Sequence, residues 1–310
     1  MSILKLTPKC KDYIWGGNRL IKEYGIEADG DICAEAWLLS GHKDGPSTIT
    51  DGIYKGMTLD KLAADNMALG KNCDKYKEFP ILIKLIDANK PLSIQVHPDD
   101  EYALKNEGQY GKTEMWYVLA AEEGSYLYLG FEEEVSKEEL KKRIENNTIE
   151  EILHKEYVKP GDVVFIEPGT LHAIGAGIVV AEIQQSSNIT YRIYDYGRVG
   201  TDGKPRELHI DKALDVLKLE PYKKYEKTGK HLVECNFFCV DKIDVVKESP
   251  YLSTVDNNSF ANILILDGEC TISTAESDIK AKKGESFFIE AGTGEYDIAG
   301  NASVLITKVP

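Results

Sequence analysis

The stretch PLSIQVHPDD, residues 91–100, alternates polar and apolar side chains from Ser93 onward. In a strand, successive side chains point to opposite faces. Ser93, Gln95 and His97 therefore share one face, Ile94 and Val96 the other, and Pro98 ends the strand. An amide and an imidazole on one face suit a divalent metal if further donors join them. GKTEMWYVL (111–119) puts Glu114 at a strand start, in phase with Trp116 and Val118. EPGTLHAIGAG (167–177) puts His172 just after a turn, at another strand start. Imidazole nitrogen and carboxylate oxygen are ligands of zinc and neighbouring first-row metals. Two histidines and one carboxylate leave positions open for substrate or water, as a catalytic metal requires. Gln95 adds an amide oxygen.

Two cations extend this pattern. Lys112 precedes Glu114 by two residues, so on a strand it points into the same space, where it suits proton transfer or phosphate contact. Arg192 lies in VVAEIQQSSNITYRIYDYGR (179–198), among Tyr191, Tyr194 and Tyr196. It suits an oxyanion or a phosphate, or a purely structural stack on the rings. Taken singly, each residue has a plainer place: Gln95, Glu114 and Lys112 at the surface, His97 and His172 as structural histidines. His154 reads as solvated, and His42, His209 and His231 as structural histidines without partner spacing.

Such a site needs three strand starts to meet, so the elements matter. Most segments read as short strands, among them FPILIKLIDA, MWYVLAA, SYLYLGF, DVVFIEP, GIVVAEIQQ, ITYRIYDY, ANILILDG, ECTIST and ASVLITKV. Closely spaced turn signals predict an all-β sandwich or barrel rather than βαβ units. Helices are few. TLDKLAADNMALG (58–70) has Thr58 as a cap candidate and a closing Gly70. Ser136 and Glu139 form a capping-box pattern, as do Thr148 and Glu151, so 134–155 reads as a small helical insert. DKALDVLKL (211–219) reads as a last helix, and the polar EPYKKYEKTGKH (220–231) as a linker. A weak repeat aligns KPGDVVFIEPGTLHAI (159–174) with KKGESFFIEAGTGEYDI (282–298), matching Gly161 to Gly284 and Gly169 to Gly292. His172 falls opposite Glu295, and 236–310 holds no histidine. Two related domains are expected, only the first of them binding metal.

Composition narrows the function classes. The 310-residue chain carries a formal charge of −15, which argues against nucleic acid as a partner. A small anionic substrate stays admissible, because charges beyond about 8 Å are screened at physiological salt. No apolar run of ~20 residues suggests a membrane span, and the first residues do not read as a signal peptide. Six cysteines without a CxxC pair suggest reduced thiols in a cytoplasmic protein. CNFFCV (235–240) reads as one strand, which would hold Cys235 and Cys239 roughly 13 Å apart, beyond disulfide or shared-metal reach.

QVHPDD, GKTEMWYVL, PGTLHAIGAGIVVAEIQQSSNITYRIYDYGR and GKPRELHIDKAL, in this order, resemble the short bacterial form of the type I mannose-6-phosphate isomerases. The resemblance runs from YIWGG near the start to the last segment. It implies a tandem cupin, two β jelly-roll barrels: a catalytic domain over 1–230 and a degenerate domain without metal ligands over 231–310. It implies one zinc per chain, held by Gln95, His97, Glu114 and His172, with Arg192 in the active site. Trp15, Glu35, Lys84, Ser93, Lys112 and Glu182 fall where the family lines its pocket. The reaction implied is aldose–ketose interconversion of mannose 6-phosphate and fructose 6-phosphate through an enediol, with Lys112 and Glu182 both open as the base. The chain departs from the longer forms in lacking their large helical insertion. It also has GKTE in place of a histidine-lysine-proline-glutamate run, and TYRIYDYGR in place of an arginine-alanine-glycine run. A non-haem iron oxygenase and a non-catalytic sugar-phosphate-binding cupin are the alternatives. The expected partner is a small sugar phosphate, and the expected assembly a monomer or homodimer.

Overall fold

The computed structural model describes residues 3–64, 68–200, 203–226 and 231–310. Three antiparallel sheets account for the fold. The first has six strands in the order Val163–Ile166, Glu114–Ala121, Ile178–Gln185, Ile81–Ala88, Glu35–Ser40 and Lys9–Lys11. The second has five: Tyr191–Tyr194, Ile94–Val96, His172–Ile174, Tyr126–Phe131 and Leu153–Tyr157. These two sheets face each other. Trp116, Val118, Ile86 and Val180 of the larger meet Leu127, Leu129 and Ile174 of the smaller in one core.

Both outer faces are covered, which is why the central strands read as nearly continuous apolar runs. All eight residues of Ile81–Ala88 and of Ile178–Gln185 are buried. Behind the five-stranded sheet, Ile94, Val96 and Ile193 pack on Ala103, Leu140, Ile144 and Leu214. Those residues come from the helices Asp100–Asn106, Lys137–Glu145 and Ile210–Val216. Behind the six-stranded sheet, Ile81, Ile83, Leu85, Ala181 and Ile183 pack on Val240, Phe260, Leu264, Phe288 and Leu305 of the C-terminal segment. Full burial of such a side chain contributes about 1.5–3 kcal/mol, so the second barrel braces the back of the sheet that carries Glu114 and Glu182.

The third sheet has nine strands and holds the C-terminal segment. Its interior is a separate core of Ile263, Ile265, Ile272, Phe287, Ile298 and Val304. The N-terminal strand Ile3–Thr7 pairs with Ser286–Ile289 and so joins this sheet. The sequence repeat has a structural counterpart. The turn glycines have matching left-handed φ, +92° at Gly161 and +85° at Gly284, then +82° at Gly169 and +78° at Gly292. Each pair brackets equivalent strands, Val163–Ile166 and Ser286–Ile289.

Several expectations need correcting. ANILILDG and ECTIST are one strand, Ala261–Thr274, with an irregularity at Ile265/Asp267. Gly268 there sits so close to Asn301 that a Cβ would lie 2.1 Å from its carbonyl oxygen. CNFFCV is a turn between Val233–Glu234 and Cys239–Val245, closed by Cys235 N donating to Phe238 O at 3.0 Å. The hairpin also brings His231 Nδ1 within 2.6 Å of Asp241 Oδ1, a partner that spacing did not reveal. The insert 134–155 is a helix over Lys137–Glu145 and a short 3-10 turn, then the strand Leu153–Tyr157. The helix in 58–70 covers Leu59–Ala63, and residues 65–67 of that expectation lie outside the described residues. The expected linker packs down: Tyr222 N donates to Phe131 O at 2.9 Å, while 227–230 lie outside the described residues. Among the described residues, no helix is long and apolar enough to cross a membrane.

Candidate active site

Strand register assembles the site. In the five-stranded sheet Arg192 stands opposite Gln95, and Gln95 opposite His172, so the three form one row across three strands. In the six-stranded sheet the facing row is Trp116, Glu182, Lys84 and Trp37. Glu114 lies one step along, opposite Gln184. The polar alternation of Gln95 and the phase of Glu114 with Trp116 place these side chains between the two sheets.

Three donors converge there. His97 Nε2 and His172 Nε2 are 3.2 Å apart. Glu114 Oε1 is 3.2 Å from His172 Nε2, and Oε2 is 3.8 Å from His97 Nε2. All three side chains are buried, and their donor atoms lie within 4.8 Å of one another. The tautomers are set from behind. His97 Nδ1 pairs with Ile189 O at 2.7 Å and His172 Nδ1 with Thr170 O at 2.9 Å. A carbonyl accepts only, so both Nδ1 atoms carry the proton and both Nε2 atoms present lone pairs. Neither Glu114 oxygen has an aligned hydrogen-bond donor, although Lys112 Nζ stands 2.8 Å from Oε2. Two imidazole lone pairs, one of them 3.3 Å from Lys112 Nζ, and a buried carboxylate whose Oε1 lacks a donor among the described residues fit a divalent cation of zinc-like preference. Burial pushes the His172 pKa down to about 4. Burial and then Lys112 push that of His97 well below its ordinary value. Both therefore stay neutral and metal-competent at neutral pH.

A clasp of backbone and side-chain hydrogen bonds holds the ligand segments together. Lys112 N donates to Pro98 O at 3.0 Å, and Gly111 N donates to Asp100 Oδ1 at 2.8 Å. Gln185 ties both sides, donating to Asp100 Oδ1 at 2.9 Å and accepting from Thr113 N at 2.8 Å. Gly169 N donates to His97 O at 2.9 Å, linking the turn before His172.

Beside the donors, separated from them by Lys112, lies a cavity of about 270 Å³ that His97, Glu114 and His172 do not themselves line. Trp15, Glu35, Lys84, Ser93, Gln95, Lys112, Glu182 and Arg192 all line it. The two inward glutamates are each fixed by an indole. Trp37 Nε1 donates to Glu35 Oε2 at 2.7 Å, and Trp116 Nε1 donates to Glu182 Oε2 at 3.0 Å. Lys84 Nζ stands 3.0 Å from Glu182 Oε1 and 3.5 Å from Glu35 Oε2. Burial alone would lower the pKa of Lys84, but Glu182 and Glu35 hold it above the ordinary value. Burial alone would raise Glu182, yet Lys112 and Lys84 hold it below the usual carboxylate range. Glu114 is pushed up by burial. A relay links Arg192 to Gln95: Arg192 Nε donates to Ser93 Oγ at 3.2 Å, and Ser93 Oγ donates to Gln95 Oε1 at 3.3 Å.

Sequence reasoning missed several lining residues. Asn188 and Thr190 share the cavity with Arg192, and their period-two spacing was the available signal. Arg206 and His209 also line it, and Arg192 N donates to His209 Nδ1 at 3.3 Å. No local spacing ties those two to the site. Asp100 and Gln185, which build the clasp, had no signal beyond their position beside HPDD and inside the polar run 184–190.

The paired barrels, with a nitrogen–oxygen donor cluster between the sheets of the first, define a cupin. Residues 3–126 match the family model for the phosphomannose isomerase type I catalytic domain, and 228–309 match that for the mannose-6-phosphate isomerase cupin domain. The chain is 35% identical to mannose-6-phosphate isomerase ManA of Bacillus subtilis, covering 99% of this chain and 98% of that one. It is 48% identical to the mannose-6-phosphate isomerase of Streptococcus mutans over 66% of this chain and 64% of that one. The crystal structure of the Bacillus subtilis mannose 6-phosphate isomerase superposes with a TM-score of 0.91 at 34% identity, covering 99% of each chain. The chain belongs to the type I phosphomannose isomerase family. That membership favours neither the iron oxygenase nor the non-catalytic binding protein.

Proposed function

We propose that the chain interconverts mannose 6-phosphate and fructose 6-phosphate at the cavity beside His97, Glu114 and His172. The observation that carries this reading is the convergence of two Nε2 lone pairs and the Glu114 carboxylate beside a pocket rich in cations. His97, Glu114 and His172, with Gln95 from the strand that leads into His97, would hold one zinc ion per chain. Bound there, the ion would supply Lewis-acid stabilisation of negative charge developing on the substrate.

The chain's own residues do the rest. Glu182 is placed to carry the proton between C1 and C2, with Lys112 beside it as the other candidate. Its Oε2 accepts from Trp116 Nε1, and its Oε1 stands 3.0 Å from Lys84 Nζ. Lys112, 3.6 Å from Glu182 Oε1 and 2.8 Å from Glu114 Oε2, balances the charge that the carboxylates bring. Arg192 donates toward the developing oxyanion, an interaction commonly worth about 3–4 kcal/mol per donor. Trp15, Glu35, Lys84 and Ser93 shape and polarise the sugar subsite. The catalytic unit is drawn from residues 1–230 and the bracing unit from 231–310, with Ile3–Thr7 and Thr48–Ile49 of the first paired into the sheet of the second. The core between the two facing sheets and the separate family matches support this division.

The test is a coupled assay of mannose 6-phosphate conversion with and without chelator. Turnover that chelator abolishes and zinc restores is expected. Absence of turnover in zinc-loaded protein, or turnover indifferent to chelation, overturns the reading.

A further inference from the structure

Positive charge is unevenly balanced around the cavity. At its deep end Lys84 and Lys112 stand against Glu35, Glu114 and Glu182. At the other end Arg192 and Arg206 line the cavity, and the one buried carboxylate there, Asp195, is bonded by Arg206 and by Arg198 behind it. Among the described residues the Arg192 guanidinium is bonded only to neutral groups, Ser93 Oγ and Glu207 O. The Glu207 carboxylate itself is 83% exposed and solvated.

Arg206 lines the cavity and is held as a fork. Its Nε donates to Asp195 Oδ2 at 2.8 Å and its Nη2 to Asp195 Oδ1. Among the described residues its Nη1 has no hydrogen-bond partner. Arg198 Nη2 donates to the same Asp195 Oδ1, and its Nη1 donates to Pro91 O, tying the carboxylate to the loop before Ile94–Val96. The chain bends sharply to allow this. Tyr196 and Gly197 adopt φ of +55° and +65°, and the Arg198 guanidinium lies 5.1 Å over the Tyr196 ring. A tyrosine in the left-handed region is uncommon and persists where its surroundings over-determine it.

We propose that Arg206, oriented by Asp195, seats the phosphate of the substrate. The sugar then lies with its phosphate at the arginine end and its C1–C2 pair at the His97–Glu114–His172 end. The inference rests on the isomerase reading above. A phosphate dianion supplies the negative charge that this end lacks, and the free Nη1 donates a charge-assisted bond to it. Asp195 does not touch the substrate. It is a positioning residue that orders the guanidinium before binding, which reduces the ordering cost of association.

Three variants, Arg206→Ala, Arg206→Lys and Asp195→Asn, test this in the zinc-loaded full chain. Each is assayed for kcat and KM with mannose 6-phosphate and for inhibition by inorganic phosphate. Arg206→Ala is expected to raise KM and the phosphate inhibition constant together by roughly ten- to hundredfold. The kcat should fall far less, and metal content should stay intact. Arg206→Lys keeps the charge and recovers part of the loss. Asp195→Asn gives an intermediate KM rise with the same split. Wild-type KM and wild-type phosphate inhibition in Arg206→Ala overturn the inference, as does a loss confined to kcat. If the parent chain shows no turnover, the isomerase reading fails by itself. Thermal stabilisation by inorganic phosphate, lost in Arg206→Ala or not, then still decides the anion seat.

Discussion

Replacing Gly111 with alanine is expected to disable the metal centre from a position that touches no ligand. A Cβ at Gly111 would lie 2.3 Å from Asp99 C, 2.6 Å from Asp100 N and 2.7 Å from Asp99 O. All three are backbone atoms, so no flexible side chain can yield. Ordinary contact begins near 3.4 Å, so the two segments must separate by about 1 Å, an overpacking that costs about 1–3 kcal/mol. The separation opens the clasp that joins Lys112 N to Pro98 O and Gly111 N to Asp100 Oδ1. Glu114 on one side and His97 on the other then move apart. A misplacement of about 1 Å commonly costs 10²-fold in rate. Gly111→Ala should therefore lower kcat/KM about 10²-fold and weaken zinc retention against a chelator, while circular dichroism shows the barrels folded. Gly30→Ala is the control, because a Cβ at Gly30 meets nothing within 4 Å. A Gly111→Ala protein with parental zinc affinity and parental turnover refutes the claim that this backbone contact positions the ligands.

Other perturbations reach different parts of the same argument. His97→Ala or His172→Ala should abolish stoichiometric zinc binding, measured by metal analysis after dialysis; full metal content in either variant sinks the ligand assignment. Arg192→Ala should lower kcat by about 10²–10³-fold at unchanged zinc content, and an unaltered kcat returns that arginine to a structural role. Glu182→Gln should stop exchange of the C2 hydrogen with solvent deuterium, whereas continued exchange at the parental rate moves the base elsewhere. In metal-free protein, His172 titrates near 4 when folded and about 6.5 when unfolded. The unfolded chain then binds more protons between these values, so stability falls with pH from about 6.5 to 4, by on the order of 3 kcal/mol. Denaturant melts across that window that do not change with pH contradict it.

Much of the site was legible because strands encode facing. Alternation put Ser93, Gln95 and His97 on one side, and the structure aims Gln95 at His172 across the sheet. The cavity then collects Trp15, Glu35, Lys84, Ser93, Lys112, Glu182 and Arg192, which the family resemblance had put together. The strand list also held where turns carry glycine. It failed at CNFFCV, because the turn between Cys235 and Cys239 contains no glycine or proline and two aromatic residues that favour strands. The split of Ala261–Thr274 failed for the opposite reason: Gly268 marks a close backbone approach within a strand, not its end.

What the sequence determined by itself, then, was local: which side chains share a face, where strands start, and which copy of the repeat carries the histidine. Register was decided only by the tertiary structure. Arg192, Gln95 and His172 come from three strands and form one row only once those strands pair. The clasp at Gly111 and the arginine cluster on Asp195 likewise join residues whose neighbours along the chain carry no hint of the contact. The strand Ile3–Thr7 crosses to the far barrel for the same reason. Pairing between distant strands is chosen by the packing of whole faces against each other, and that packing exists only when the chain is folded.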